Sequence, residues 1–185
     1  MLFRSLKDAD VDAVILAIGS SPITIKLEGM DKLQHASAPE VLRHEVCPKG
    51  KVAVIGGGLV GLETADTLAT DGCDVTVLEM KDEIGSDLGS LRKIAVMMKL
   101  QQMQVKMLPN SKVCKFTEEG IVLEDETLVP CNCAVFAVGF ASNDSHLLVE
   151  ECEKRQIPCG VIGDAKSARR ALDAIAEGFE AARTL

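Results

Sequence analysis

The chain has 185 residues, with 20 Lys and Arg against 28 Asp and Glu, and its formal net charge is −8. Hydrophobic residues make up 47% of it, enough for a packed core, which argues against disorder. The acidic chain has no Trp, no Tyr and five Phe, so it lacks the basic surface and stacking aromatics typical of nucleic-acid binding. No apolar run approaches the ~20 residues that cross a bilayer, and residues 1–12 do not resemble a secretory signal. We therefore expect a cytoplasmic protein that contacts neither nucleic acid nor membrane.

The seven cysteines are scattered, and no CxxC pair occurs among them. This pattern disfavours a disulfide framework, a zinc ribbon and a dithiol redox centre. Cys131 and Cys133 are the only close pair, and on a strand their side chains would point to the same face. The three histidines are isolated. The sequence therefore predicts no metal site and no catalytic residue.

Apolar runs that end in glycine recur along the chain, and each predicts a strand of a parallel sheet buried on both faces; they are 13–19, 52–56, 134–139 and 161–163. A further strand is predicted at 75–78. Helical patterns are predicted at 59–71, about 87–103 and about 167 to the end. Their expected inner faces are Leu62, Ala65 and Ala69, then Leu91, Ile94, Ala95 and Met98, and finally Leu172, Ile175, Phe179 and Ala182.

Residues 104–130 show a different pattern, in which short apolar stretches alternate with polar turns. This pattern predicts an antiparallel β-meander. Residues 20–50 hold three of the six prolines and few periodic signals, so they read as a linker. The order of these elements indicates an α/β fold. It is a Rossmann-like parallel sheet with a βαβ dinucleotide-binding unit and an antiparallel β-meander as a crossover.

The glycine-rich segment that follows the strand at 52–55 has the spacing GxGxxG at a junction of strand and helix. Gly56 permits a tight turn, Gly58 leaves room for a pyrophosphate to approach the backbone, and Gly61 lets helix and strand pack closely. Free N–H groups at the helix start would then face the phosphates. The alternative interpretation is an ordinary glycine-rich turn.

An acidic residue, Glu79, ends the next strand, 79 − 56 = 23 residues after the first glycine. A carboxylate at this position accepts hydrogen bonds from an adenosine ribose and repels a 2′-phosphate, so it favours NAD over NADP. Lys81, two residues further on, opposes that preference, and Glu79 could instead be a solvated strand end. Glu63, on the first turns of the helix, could orient the nicotinamide end of a ligand or only complement the helix dipole.

The segments Lys51–Ala65 and Val75–Met80 resemble the NADH-binding domain of two-dinucleotide flavoproteins. Within that group the chain looks most like the C-terminal part of the NADH:flavin oxidoreductases related to 2-enoate reductase and 2,4-dienoyl-CoA reductase. Similar segments occur at Asp12–Ser20, Ala137–Gly139 and Val161–Ala165. The resemblance implies cofactor-binding roles for Gly56, Gly57, Gly58, Leu59, Val60, Gly61, Glu63, Glu79, Met80, Gly139 and Asp164.

The family has parts that this sequence does not contain, namely a second GxGxxG for FAD, a barrel of about 250 residues and an iron–sulfur cysteine cluster. The resemblance therefore implies an NADH-binding domain at 51–140, flanked by partial FAD-domain segments at 1–50 and 141–185. Asp164 would contact FAD only in a complete protein, and its alternative role is to cap the last helix.

The function implied is that of an NADH-binding fragment of a flavin-dependent oxidoreductase. Such an enzyme passes hydride from NADH to FAD to reduce an enoate-type or similar acceptor, and the isolated chain would be inactive. Its expected partners are NADH, the missing flavin and barrel domains, and a second copy in a homo-oligomer. The alternative function is a free-standing NADH-sensing or partner-docking module without flavin.

Overall fold

The computed structural model describes residues 10–184. The chain folds into two compact units. One unit is Pro22–Gly139, and the other consists of the described residues on either side of it. The strands of the first unit are β3 (Gln34–Ser37), β4 (Lys51–Ile55), β5 (Asp74–Leu78), β6 (Lys106–Leu108), β7 (Val113–Thr117), β8 (Gly120–Leu123), β9 (Leu128–Pro130) and β10 (Cys133–Phe136). Its α-helices are α1 (Ala38–Leu42), α2 (Leu59–Thr70) and α3 (Ser90–Gln102), and a 3-10 turn lies at Met30–Lys32.

A five-stranded parallel sheet with the order β3-β10-β4-β5-β6 forms the centre of this unit. Alternate residues of each central strand point to opposite faces. On β4, Val52 and Val54 pack against the helices, while Ala53 and Ile55 pack against the meander β7-β8-β9. Because both faces are covered, the strand is continuously apolar, as the sequence predicts. The predicted α/β fold class, with its parallel sheet and meander, is confirmed.

Helix α2 matches its predicted limits and inner face. Leu62 and Ala65 are fully buried, and Ala69 packs against the same cluster. The buried hydroxyl of Thr64 donates to the carbonyl of Val60 at 2.7 Å, so this polar side chain is satisfied within the helix. The chain leaves the helix through Gly72, whose φ of +84° is unfavourable for residues with a side chain.

The stretch predicted as a linker is instead part of the first unit. Strand β3 pairs in parallel with β10, and Leu33, Ala36 and Val41 are buried. The compact unit therefore begins at Pro22, not at residue 51, and the partial FAD-domain segment predicted at 1–50 is divided at this point. The sequence did not reveal this strand because β3 is only four residues long and Ala36 is its only buried residue, so it shows neither an apolar run nor an alternating pattern.

Two further details of the prediction are wrong. Lys106–Leu108, placed in the meander, is the parallel edge strand β6, so the meander begins at Val113. On α3 the predicted inner face points outward, and Leu91 is 84% exposed. The helix packs through a second stripe with the same helical spacing, formed by Val96, Met97, Leu100 and the following Met103. Periodicity alone could not choose between the two stripes.

The second unit contains β1 (Val14–Leu16), β11 (Phe140–Ser142), α4 (His146–Lys154), β12 (Cys159–Val161), a 3-10 turn (Gly163–Ala165) and α5 (Ala171–Thr184). Strand β2 (Ser20–Pro22), which ends at the unit boundary, pairs with β11. Strands β1 and β12, which overlap the strands predicted at 13–19 and 161–163, pair in parallel.

Helix α5 begins four residues later than predicted, and its predicted inner face is exposed, with Phe179 at 64%. The packed side carries small residues instead. A Cβ built on Gly163 would lie 3.2 Å from the Cβ of Ala174, and one built on Gly178 would lie 3.8 Å from Ile162. Small side chains at these positions let the helix approach the 3-10 turn closely, which turns its bulky stripe outward.

Candidate functional site

A cleft of about 520 Å³ opens at the carboxyl ends of the central strands, within the Pro22–Gly139 unit. The GxGxxG segment at residues 56–61, called the glycine loop below, follows β4. Glu79 follows β5, and Gly139 follows β10. Ligands of open α/β sheets bind in this position, outside the carboxyl ends of the strands. The volume falls in the range typical of sites for small molecules and cofactors.

Most of the residues predicted to bind a cofactor line this cleft; they are Gly56, Gly58, Leu59, Val60, Glu79, Met80 and Gly139. Among the described residues, the lining also includes several that the sequence did not single out, namely Ile25, Leu27, Ser86, Asp87, Ser111, Lys112 and Val113. They come from loops and strand ends that carry no periodic signal, so only the tertiary structure brings them here. Lys81, which opposes a preference for NAD, is also part of the wall.

The glycine loop is shaped by backbone contacts that require the absence of side chains. Gly56 has a φ of +111°, and a Cβ there would lie 2.4 Å from the carbonyl oxygen of Ala137. A Cβ on Gly61 would lie 1.9 Å from the carbonyl oxygen of Gly56. Gly61 is buried in α2 and therefore serves close packing of helix and turn rather than ligand contact.

Gly58 is different, because its φ of −77° suits any residue and the nearest group to a built Cβ is a side chain, the carboxylate of Asp87, at 3.2 Å. The space beside its backbone is thus kept free of the main chain. Such space lets a ligand phosphate approach the amides at the start of α2.

Glu79, which follows β5, links this strand to the glycine loop through hydrogen bonds. One carboxylate oxygen accepts the N–H of Gly57 at 2.7 Å, and the other accepts the N–H of Lys81 at 2.9 Å. Each oxygen keeps a second lone pair. The carboxylate therefore holds the loop in shape and still has acceptor capacity for a ribose hydroxyl group.

Glu63 lies away from these contacts. Its carboxylate forms an exposed ion pair with Arg92 of α3 at 2.8 Å. The structure therefore gives Glu63 a partner that neither of the two sequence-based interpretations foresaw.

Asp164 belongs to the other unit, where it borders a hollow of about 360 Å³. Its carboxylate accepts the hydroxyl of Ser20 at 3.1 Å and the N–H of Arg169 at 3.3 Å. The last helix begins at Ala171, so the alternative role of Asp164 as its cap is wrong. Asp164 instead lies in the 3-10 turn Gly163–Ala165 and ties it to Ser20, the first residue of β2, and to the following loop.

Glu177, which sequence reasoning missed, organises the same turn. Its side chain accepts a hydrogen bond from Arg169 and the N–H of Gly163 at 2.7 Å. The Arg169 guanidinium, together with the Gly163 amide, lowers the pKa of Glu177 to about 2. The carboxylate is therefore ionised throughout the physiological range.

The close cysteine pair does not share a face. Cys131 packs on the meander side of the parallel sheet and Cys133 on the helix side. Burial raises the pKa of each thiol to about 11, with the neighbouring thiol as a further cause for Cys131. Thiolates, which bind metals and attack disulfides, are thus strongly disfavoured at both positions. Among residues 10–184 there is no cluster of three or more metal-ligating side chains and no helix long and apolar enough to cross a membrane.

Comparison with known proteins agrees with this geometry. The family model of the pyridine nucleotide-disulphide oxidoreductases matches residues 4–166. The chain belongs to this family. It is 36% identical over 181 residues to a bilirubin reductase of Mediterraneibacter gnavus and 34% identical over 190 residues to a cinnamate reductase of Clostridium sporogenes.

These matches cover 94% and 98% of the chain but 28% of each relative, so the chain spans little more than a quarter of their length. A solved 2-naphthoyl-CoA reductase superposes with a TM-score of 0.83 at 24% identity, over 94% of this chain and 27% of that one, which shows a shared fold. The resemblance to enoate-reductase-like flavoproteins is therefore confirmed. The chain corresponds to their pyridine-nucleotide-binding region.

Proposed function

We propose that the chain is the NADH-binding part of a flavin-dependent reductase. The observation that carries this proposal is the junction of Glu79 with the glycine loop, in which the carboxylate lies 2.7 Å from the amide nitrogen of Gly57 and faces the cleft. An acidic residue at the end of the second strand is the usual ligand of an NAD ribose. Both elements lie within one compact unit, so binding of the dinucleotide would not require flavin.

Each end of the site would have a separate task. The amides at the start of α2 would receive the pyrophosphate beside Gly58, and Glu79 would accept hydrogen bonds from the adenosine ribose. Gly139, Met80 and the apolar residues of the wall would exclude water from the rest of the ligand. Bound NADH supplies a hydride, and this transfer requires mainly that the protein position its donor.

A role for Asp164 toward FAD belongs to the same proposal. Its carboxylate is exposed to a hollow and is held by Ser20 and Arg169, which suits a fixed acceptor for a polyhydroxyl chain. The sequence contains one GxGxxG, so the FAD pyrophosphate would have to be bound by residues outside this chain. We propose that FAD is bound only in a complete protein, where hydride passes from NADH to FAD to reduce an enoate-type or similar acceptor. The two relatives named above, a bilirubin reductase and a cinnamate reductase, support an acceptor of this kind.

Titration of the purified chain with NADH and with FAD tests the proposal. We expect saturable binding of one NADH per chain by calorimetry and no tight FAD binding, so that the protein is colourless. Absence of NADH binding at millimolar concentration would refute the assignment of the cleft, and a stoichiometric yellow chromophore would refute the assignment of FAD to a complete protein only.

The alternative function, an NADH-sensing or docking module, shares the same cleft and needs a different experiment. An antibody against the chain, applied to extracts of the source cells, would detect a polypeptide several times longer if the chain is part of a reductase. A band at 19.7 kDa alone would favour the module. The cytoplasmic location and the homo-oligomer stay predictions.

A further inference from the structure

A carboxylate of the protein itself occupies the start of helix α2. Asp87, in the loop between β5 and α3, accepts the N–H of Leu59 with both oxygens, at 3.0 and 3.1 Å. Leu59 is the first residue of α2, and the preceding Gly58 has no side chain with which to cap the helix. Asp87 therefore caps α2 from a distant position in the sequence, at the positive end of the helix dipole.

The same carboxylate fills the space that Gly58 leaves open. A Cβ on Gly58 would lie 3.2 Å from one Asp87 oxygen, and the other atoms of that carboxyl group are the next nearest. This is the space through which a pyrophosphate reaches the amides at the start of the helix. Asp87 and the pyrophosphate would thus require the same volume and the same amide.

The loop that carries Asp87 is anchored to the glycine loop. The N–H of Gly85 donates to the carbonyl of Gly57 at 2.7 Å, Glu79 accepts the N–H of Lys81, and Ile84 is buried in the core. The Asp87 side chain itself is exposed. A rotation of this side chain into water would therefore open the space without displacement of the loop.

We propose that Asp87 determines the affinity of the dinucleotide site, because its carboxylate holds the start of α2 in the unliganded protein and leaves when the pyrophosphate enters. This inference rests on the proposed NADH site. Two anions cannot share one amide, since their charges repel and only one N–H is available. Part of the binding free energy of NADH is therefore spent on removal of the cap.

Asp87→Ala removes the competing carboxylate, and Asp82→Ala is its matched control, because Asp82 is an exposed acid of the same loop with the same charge. Calorimetry at one ionic strength should show NADH binding at least about threefold tighter for Asp87→Ala, which is the lower range of the contribution of a helix cap. Asp82→Ala should leave the affinity within error. Urea unfolding without ligand should show that Asp87→Ala is less stable, so stability and affinity change in opposite directions.

If the cap stays in place during binding, Asp87→Ala would show the same loss of stability but an equal or weaker affinity for NADH. This result would overturn the inference while the proposed NADH site stands. Equal tightening by both variants would also overturn it, because a general charge effect would then explain the change. If only the Asp87 variant binds NADH, the inference is supported; if neither variant nor the unmodified chain binds, the inference and the proposed function both fail. Should Asp87→Ala not fold, Asp87→Asn keeps an acceptor for Leu59 and removes the charge, and it should also bind NADH more tightly.

Discussion

A methyl group added to either of two glycines of the same loop should have different consequences. At Gly61 it should lower the stability of the fold, whereas at Gly58 it should weaken NADH binding with little change in stability. At Gly61, the new Cβ would lie 1.9 Å from the carbonyl oxygen of Gly56 and 3.0 Å from its carbon. This neighbour is backbone, so helix α2 and the turn after β4 would have to separate by roughly 1.5 Å to reach ordinary contact distance. Overpacking in a core costs about 1–3 kcal/mol and sometimes more. A rigid backbone contact belongs at the upper end, so we expect Gly61→Ala to lower the free energy of unfolding by about 3 kcal/mol.

At Gly58, the backbone has a φ of −77°, which alanine adopts without strain, and the new Cβ would meet only the end of the exposed Asp87 side chain. Alanine is a poorer N-cap than glycine by up to about 1 kcal/mol. The loss of unfolded-state entropy offsets this by about 0.4–1 kcal/mol. The free energy of unfolding should therefore change by less than about 1 kcal/mol.

Gly58→Ala should weaken NADH binding, because the added methyl group lies in the space through which the pyrophosphate reaches the amides of α2. We expect binding at least about tenfold weaker, a loss of about 1.4 kcal/mol. Urea unfolding followed by circular dichroism gives the stabilities, and calorimetry gives the dissociation constants. Unchanged NADH affinity in Gly58→Ala, or a Gly61→Ala chain as stable as the unmodified one, would show that the loop has been assigned the wrong geometry.

Three further predictions concern charge and ionisation. NADH should bind at least about tenfold more tightly than NADPH. Glu79→Arg should narrow or reverse this ratio of affinities, because the arginine supplies a partner for the 2′-phosphate. Equal dissociation constants for the two nucleotides in the unmodified chain would refute the role of Glu79. Glu177 has a folded-state pKa lowered to about 2 by its hydrogen bond with Arg169 and by the Gly163 amide, so its stabilising effect is complete above about pH 4.5 and is lost as the pH falls toward 2. Acid titration should show a weaker pH dependence of stability in this window for Glu177→Gln, and an identical profile would contradict the assignment. Cys131 and Cys133, with a pKa of about 11, have roughly one thiolate in a thousand at pH 8, so both should react with a thiol reagent only after unfolding, well after the exposed cysteines.

Local signals in the sequence are sufficient for the dinucleotide-binding unit. The apolar run at β4, the three spaced glycines and the acid at the end of β5 lie within 29 consecutive residues, from 51 to 79, and each has a direct physical requirement. The strand needs apolar residues because both of its faces are covered, and the glycines are needed because backbone atoms approach within 2.4 Å of where Cβ atoms would lie at Gly56 and Gly61. The fold class, the limits of α2 and the position of the glycines and Glu79 at the cleft were therefore predictable.

The tertiary structure decided what local patterns leave open. Helix α3 has two apolar stripes with the same spacing, and contact with the sheet selects the one through Leu100. The segment 34–37 becomes a strand because β10 provides a parallel partner, although its own residues give little sign of it. The Asp87 carboxylate reaches Leu59 across 28 residues of sequence because the intervening strand β5 returns the chain to the same edge of the sheet. Interactions within one element depend on residues that are adjacent or regularly spaced, so the sequence determines them by itself, whereas a contact between elements depends on how those elements pack, which no local pattern contains.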